Sequence, residues 1–142
     1  LSPCPMPTLC LFEDAGVARL APLALTRAAS DLAVGGRTLG ASATAAFPHE
    51  RLALRVRDAV AGVAADEHPA ATVNGAAGGP TLFVNARWRV EAGEARDAVA
   101  AAVGTRAPRA FVQPTPDGPA LVALWHPTPP DAGPEALAGD VA

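Results

Sequence analysis

The sequence predicts an α/β fold, and three patterns carry that prediction. A short apolar run, Thr8 to Phe12, ends on the acidic pair Glu13-Asp14, as a buried strand does where its carboxyl end meets solvent. Leu52, Leu54 and Val56 alternate with polar or small residues and lead into a helical pattern from Asp58. Ala95, Ala98, Val99, Ala102 and Val103 then follow the i, i+3, i+4, i+7, i+8 rule of an amphipathic helix, ahead of two more short apolar runs.

Composition bounds what such a fold can do. At 142 residues the chain is about one domain long. It is 50% hydrophobic, but much of that is alanine, while aromatics make up 4% and tyrosine is absent. Alanine removes little area from water, so at about 25 cal/mol per Å² the core gains less than the apolar fraction implies. All 11 basic residues are arginine, which stays protonated near neutral pH, so chemistry that needs a lysine amine is excluded. A net charge of -3 with scattered arginines offers no basic face to nucleic acid. Cys4 and Cys10 lack metal-site spacing and a histidine nearby, and read as thiols of a reducing compartment. Without a signal-peptide pattern or a long apolar run, the chain is expected to be cytoplasmic, with no membrane partner.

In order along the chain, residues 1–8 form a Pro-rich flexible leader, 9–126 the domain, and 127–142 a Pro-rich tail or linker. Thr8 to Phe12 is the first strand. Ala15 to Leu25 reads as a loop, since Gly16 and Pro22 break any long period. Thr26 to Val34 suits a helical turn ended by Gly35 and Gly36, and Thr38 to Phe47 a small-residue helix stopped by Pro48. From Arg51 a strand followed by a helix to His68-Pro69 is preferred; one continuous helix with Leu52, Val56, Val60 and Val63 on one face fits almost as well. Thr81 to Val84 is a strand with Asn85 just beyond it, and Glu94 to Val103 is the clearest helix. Ala110 to Gln113 and Ala120 to His126 form a terminal strand pair, joined by a Pro114–Pro119 loop too long for a two-residue hairpin.

Chemistry is sparse outside one stretch. His49, His68 and His126 are far apart, each beside a proline, and no nucleophile elbow, Walker sequence or GxGxxG occurs. What remains is anion handling by Arg19, Arg27 and Arg37 near the strand end that carries Glu13 and Asp14. Carboxylates there suit a divalent metal that bridges phosphate oxygens. The plainer alternative is that these arginines pair with Asp14 and Asp31 as ordinary ion pairs. Asn74 and Asn85 suit turns, although Arg87 close to Asn85 gives the second a binding reading.

The string from Leu11 to Leu39 resembles the opening of a sugar nucleotidyltransferase family whose members are similar to the N-terminal part of the bifunctional GlmU enzyme. Leu11 to Asp14, Leu20, Pro22, Leu23, Thr26, Arg27, Asp31, Leu32, Gly35, Thr38 and Leu39 carry that resemblance, and Phe83 to Trp88 resembles the family's INGR segment. The resemblance implies a partial nucleotide-diphospho-sugar transferase-like domain: a Rossmann-like, three-layer α/β sheet with flanking helices. It also implies a following left-handed β-helix, and homo-oligomers formed through it. The implied reaction is attack of a sugar 1-phosphate on the α-phosphate of a nucleoside triphosphate, with Mg2+ and release of pyrophosphate. Carried over by position, Arg27 and Arg37 become phosphate contacts with a catalytic role, Thr26, Asp31, Asn85 and Arg87 substrate-binding groups, and Glu13 and Asp14 metal ligands or hydrogen-bonding groups. Ala24, Ala28, Ala33 and Ala86 depart from the family's Thr, Pro, Arg and Gly, and the family's acidic residue soon after Leu39 is missing. A Gly-rich loop and lysine typical of nucleotidyltransferases are also missing. The second reading is therefore a non-catalytic relative that binds nucleotide or sugar phosphate, or serves in assembly.

Overall fold

In the computed structural model, residues 6–21, 23–75 and 78–141 are described. Most of the leader, Cys4 and Pro22 lie outside the described residues. β1 (Thr8–Phe12) is buried at all five positions, which explains why its sequence is continuously apolar instead of alternating. It lies between parallel partners β4 (Arg51–Arg55) and β6 (Thr81–Asn85), with Phe12 in register with Arg55 on one side and Asn85 on the other.

β5 (Thr72–Val73) extends the sheet beyond β4, while β8 (Gly118–His126) and β7 (Arg109–Thr115) extend it beyond β6. The order is β5-β4-β1-β6-β8-β7, parallel through β6 and antiparallel after it. The chain moves outward from β1 to β4 and β5, then returns to the other side of β1. That reversal makes the carboxyl ends of β1 and β6 the topological switch point, where open α/β sheets bind ligands.

Helices α1 (Leu39–Ala46), α2 (Asp58–Glu67) and α3 (Glu94–Ala102) cover one face. Their Ala43, Val60, Ala64, Val99 and Ala102 pack on Leu9, Leu11, Leu54, Leu82, Val84 and Trp125. Small residues let these helices approach closely: a Cβ on Gly40 of α1 would stand 3.0 Å from the Ser30 carbonyl. The opposite face presents Cys10, Phe12, Ala53, Phe83 and Leu124, and α4 (Pro134–Val141) closes it through Leu137. The result is the three-layer α/β sheet with flanking helices anticipated from the sequence.

Several local readings change. Residues 127–142 were expected to be a tail or linker, but Leu137 is buried and holds α4 on the sheet, so burial prevails over the polar, Pro-rich composition. Pro114 and Pro119 do not lengthen the terminal loop; they stand opposite each other in the ladder, leaving Pro116-Asp117 as a two-residue turn. An edge strand tolerates proline because its outward N–H needs no partner. Gly35 and Gly36, with φ of 65° and 83°, form the turn of a small hairpin, β2 (Ala33–Val34) and β3 (Arg37–Thr38), not a helix stop. Ala15–Leu20 is a 3-10 helix capped by Asp14, where a loop was expected. The expected helical turn over Thr26 to Val34 shrinks to the 3-10 turn Ala29–Asp31. Strand followed by helix holds from Arg51 onward. Asn74, at φ 55°, mimics a strand neighbour there, accepting from Val56 N at 2.8 Å and donating to its carbonyl at 3.0 Å.

Candidate functional site

Backbone register brings two carboxylates to the switch point, because Glu13 and Asp14 directly follow β1. Their surroundings differ. Glu13 is turned toward the β4 side, where its Oε1 accepts from Arg57 N and Nε, each at 2.9 Å. Its Oε2 accepts from Ala29 N at 2.7 Å and Arg57 Nη2 at 3.3 Å. The same guanidinium donates to the carbonyls of Ala24 and Arg27 at 2.6 and 2.8 Å. Glu13 and Arg57 thus form a strut that fixes the loop carrying Thr26 and Arg27 against the end of β4.

Asp14 faces the β6 side. Asn85, the last residue of β6, donates to its Oδ2 at 2.9 Å and to the Leu121 carbonyl at 2.9 Å. Asn85 Oδ1 accepts from Arg87 N at 2.9 Å, and the Arg87 guanidinium grips Asp14 with two bonds of 2.8 Å. Burial alone would raise the Asp14 pKa, but hydrogen bonds from Arg87 and Asn85, the Arg87 charge and the Gly16 N–H together outweigh it and hold the carboxyl below its ordinary value. The hydrogen bond to Asp14 in turn raises Arg87 above the usual arginine value. Gly16 leaves room for this grip: a Cβ would lie 2.3 Å from Arg87 Nη2 and force the guanidinium to shift.

Two clefts flank this network. One, of about 610 Å³, lies between Asp14, Gly16, Arg19, Arg87 and the β7–β8 hairpin. The other, of about 580 Å³, runs from Glu13 and Asp14 across Arg55, Arg57 and Asn74 to Glu135 at the start of α4. Arg19 and Asp117 form an exposed ion pair that links the loop after β1 to the hairpin turn.

Of the residues anticipated from the sequence, Glu13, Asp14, Asn85 and Arg87 converge on this crevice. Thr26 and Arg27 sit exposed on the braced loop, and Arg37 is exposed in the small hairpin. Among the described residues, neither Arg27 nor Arg37 has an ion-pair partner. The alternative pairing of Arg19, Arg27 or Arg37 with Asp14 and Asp31 is therefore corrected: Asp14 takes Arg87 and Asp31 takes His68. Asp31 is not brought into the crevice, since His68 stands at the opposite end of α2, in a cleft with His49 and Arg51 at the start of β4. Arg57 was missed as a site residue. Its only sequence signal is its position just past the β4 strand, the same kind of place that singled out Glu13.

Neither carboxylate at the switch point offers a free lone pair to Mg2+. Each accepts four hydrogen bonds, and hard-cation coordination would have to displace a guanidinium. Among the described residues, Asp31, Glu67 and His68 cluster donor atoms closely enough to hold a metal ion.

An open, mostly parallel sheet with polar groups gathered at its switch point defines a Rossmann-like class of α/β domain, which binds ligands outside the carboxyl ends of its strands. More narrowly, the chain belongs to the sugar nucleotidyl transferase family, whose model matches residues 9–132. Neither curated proteins nor solved structures gave a significant match. Among the described residues no helix is long and apolar enough to cross a membrane.

Proposed function

We propose that the chain binds a nucleoside triphosphate and a sugar 1-phosphate at the crevice outside β1, β4 and β6, and transfers a nucleotidyl group between them. A phosphate oxygen of the sugar 1-phosphate attacks the α-phosphorus, the bond from that phosphorus to the bridging oxygen breaks, and pyrophosphate leaves with the electron pair. The observation that carries this reading is a crevice at the switch point in a member of the sugar nucleotidyl transferase family.

Arg27 and Arg37, exposed and without ion pairs among the described residues, are the phosphate contacts, and Thr26 adds a hydroxyl donor on the same braced loop as Arg27. Arg87 lines the cleft on the β6 side, buried Asn85 supports it from beneath, and Glu13 and Asp14 hold the two arginines Arg57 and Arg87 in place. Mg2+ belongs to the proposal as part of the substrate, the Mg2+ complex of the triphosphate. Such chemistry depends on positioning and on charge neutralisation around the transferring group.

The saturation of both carboxylates favours a second reading, in which the domain binds these ligands without turning them over. Purified protein with Mg2+, nucleoside triphosphates and sugar 1-phosphates decides between them. Pyrophosphate release that falls to background in Arg27→Ala supports transfer. Release no higher than in that variant overturns transfer, and a nucleotide-dependent rise in Tm then supports binding alone.

A further inference from the structure

The Asp31, Glu67 and His68 group lies apart from the crevice and has no part in the reading above. The 3-10 turn Ala29–Asp31 delivers Asp31 to the end of α2, where Glu67 is the last helical residue and His68 caps the helix. One donor atom from each of the three lies within 4.8 Å of the others. His68 Nε2 is 2.6 Å from Asp31 Oδ1, while Asp31 Oδ2 is buried and accepts no hydrogen bond from any protein group. Leaving such an oxygen unsatisfied is costly, and more so when it is charged. Among the described residues no arginine forms an ion pair with Asp31 or Glu67.

We propose that Asp31, Glu67 and His68 form a binding site for a divalent transition metal of the Zn2+ class. Two carboxylates and an imidazole match Zn2+ and Co2+ chemistry, whereas Mg2+ selects an all-oxygen shell. The metal takes the place of the contact between His68 Nε2 and Asp31 Oδ1, with the imidazole ligating through Nε2. It also supplies the partner that Asp31 Oδ2 lacks. Glu67 is exposed, and a cleft of about 530 Å³ that includes Glu67 and His68 gives the ion an entry path and room for water ligands. His49 shares that cleft but is not among the residues whose donor atoms lie within 4.8 Å of one another, so it is not counted as a ligand. Bound metal fastens the loop between β1 and α1 to the end of α2, a link between residues distant in sequence.

The test uses the whole chain, stripped with EDTA and titrated separately with Zn2+, Co2+ and Mg2+ by calorimetry and thermal denaturation. One equivalent of Zn2+ or Co2+ binds and raises Tm, Mg2+ does neither, and the Co2+ complex shows ligand-field bands without a thiolate charge-transfer band. Asp31→Asn and Glu67→Gln each weaken Zn2+ binding by roughly 100-fold, at least what loss of a supporting outer residue costs. Should Asp31→Asn not fold, Glu67→Gln decides alone, because its side chain is exposed at a helix end. Absence of stoichiometric binding, a thiolate band, equal response to Mg2+, or undiminished Zn2+ affinity in Glu67→Gln would overturn the proposal.

Discussion

Glu13→Gln separates a structural strut from a metal ligand. The wild-type carboxylate is 3% exposed and takes four donors, so a glutamine in its place must turn its NH2 toward two of them. In one orientation the NH2 meets Arg57 N and Nε; in the other it meets Ala29 N and Arg57 Nη2. Either way two hydrogen bonds are lost, at least one of them to a charged donor, for roughly 1 kcal/mol and roughly 2 kcal/mol respectively. The Arg57 side chain is 30% exposed, so water recovers part of its charge, and the total stays at about 3 kcal/mol, the low end for breaking a buried ion pair. For a domain of this size that lowers Tm by about 10 °C, at roughly 3 °C per kcal/mol. Urea titration followed by tryptophan fluorescence should show the midpoint fall with an unchanged slope, equally with and without Mg2+. A loss below about 1 kcal/mol, or one confined to Mg2+-containing buffer, would refute the strut. A cycle with Arg57→Met adds a second check, since additive single effects would mean that the two side chains are not coupled.

Three further outcomes follow from the same geometry. Gly16→Ala should push Arg87 off Asp14 and cost about 1–2 kcal/mol, whereas Gly62→Ala, in the exposed interior of α2 with nothing within 4 Å, should stabilise by roughly 1 kcal/mol; urea midpoints of the pair check both signs. Because the folded Asp14 pKa lies below its ordinary 3.8, its stabilisation is complete above that value and is lost as pH falls through the lower folded pKa. Asp14→Asn should therefore be less stable at neutral pH and show a shallower acid limb, and parallel acid titrations falsified by identical limbs test it. Burial pushes the Cys10 thiol up to about 12, so it should resist a thiol-specific disulfide reagent at pH 8 until the chain unfolds; labelling as fast as a free thiol contradicts that burial.

The sheet was legible because its strands differ sharply from what surrounds them. Leu9, Leu11 and their neighbours form an unbroken apolar run only a strand buried on both faces needs, and the carboxylates after it marked the crevice. Helix α3 was equally plain, since its Ala and Val positions keep a single period. α4 was hidden because its contribution rests largely on one anchor, Leu137, inside a Pro- and Gly-rich context. The ion-pair partners were not legible at all. Asp14 chose Arg87, 73 residues away, over nearby Arg19, because register between β1 and β6 sets distance in space and sequence separation does not. For the same reason Asp31 met His68 through packing of the Ala29–Asp31 turn beside α2, a contact no local pattern encodes.

The ladder between β7 and β8 contains one irregularity. Phe111 stands opposite Ala123 and Val112 opposite Leu121, so Val122 is an extra residue on β8. It changes the parity of the strand: Leu121 and Leu124, three apart, both face α4, and the Leu121 carbonyl points away from the ladder to meet Asn85. Length at this position is therefore a more sensitive variable than side-chain identity. Deleting Val122 would leave Leu121 two residues from Leu124, so simple alternation would keep both toward α4, but the bulge, with its change of parity and local bend, would be lost. Replacing it with another residue of similar size leaves that parity intact.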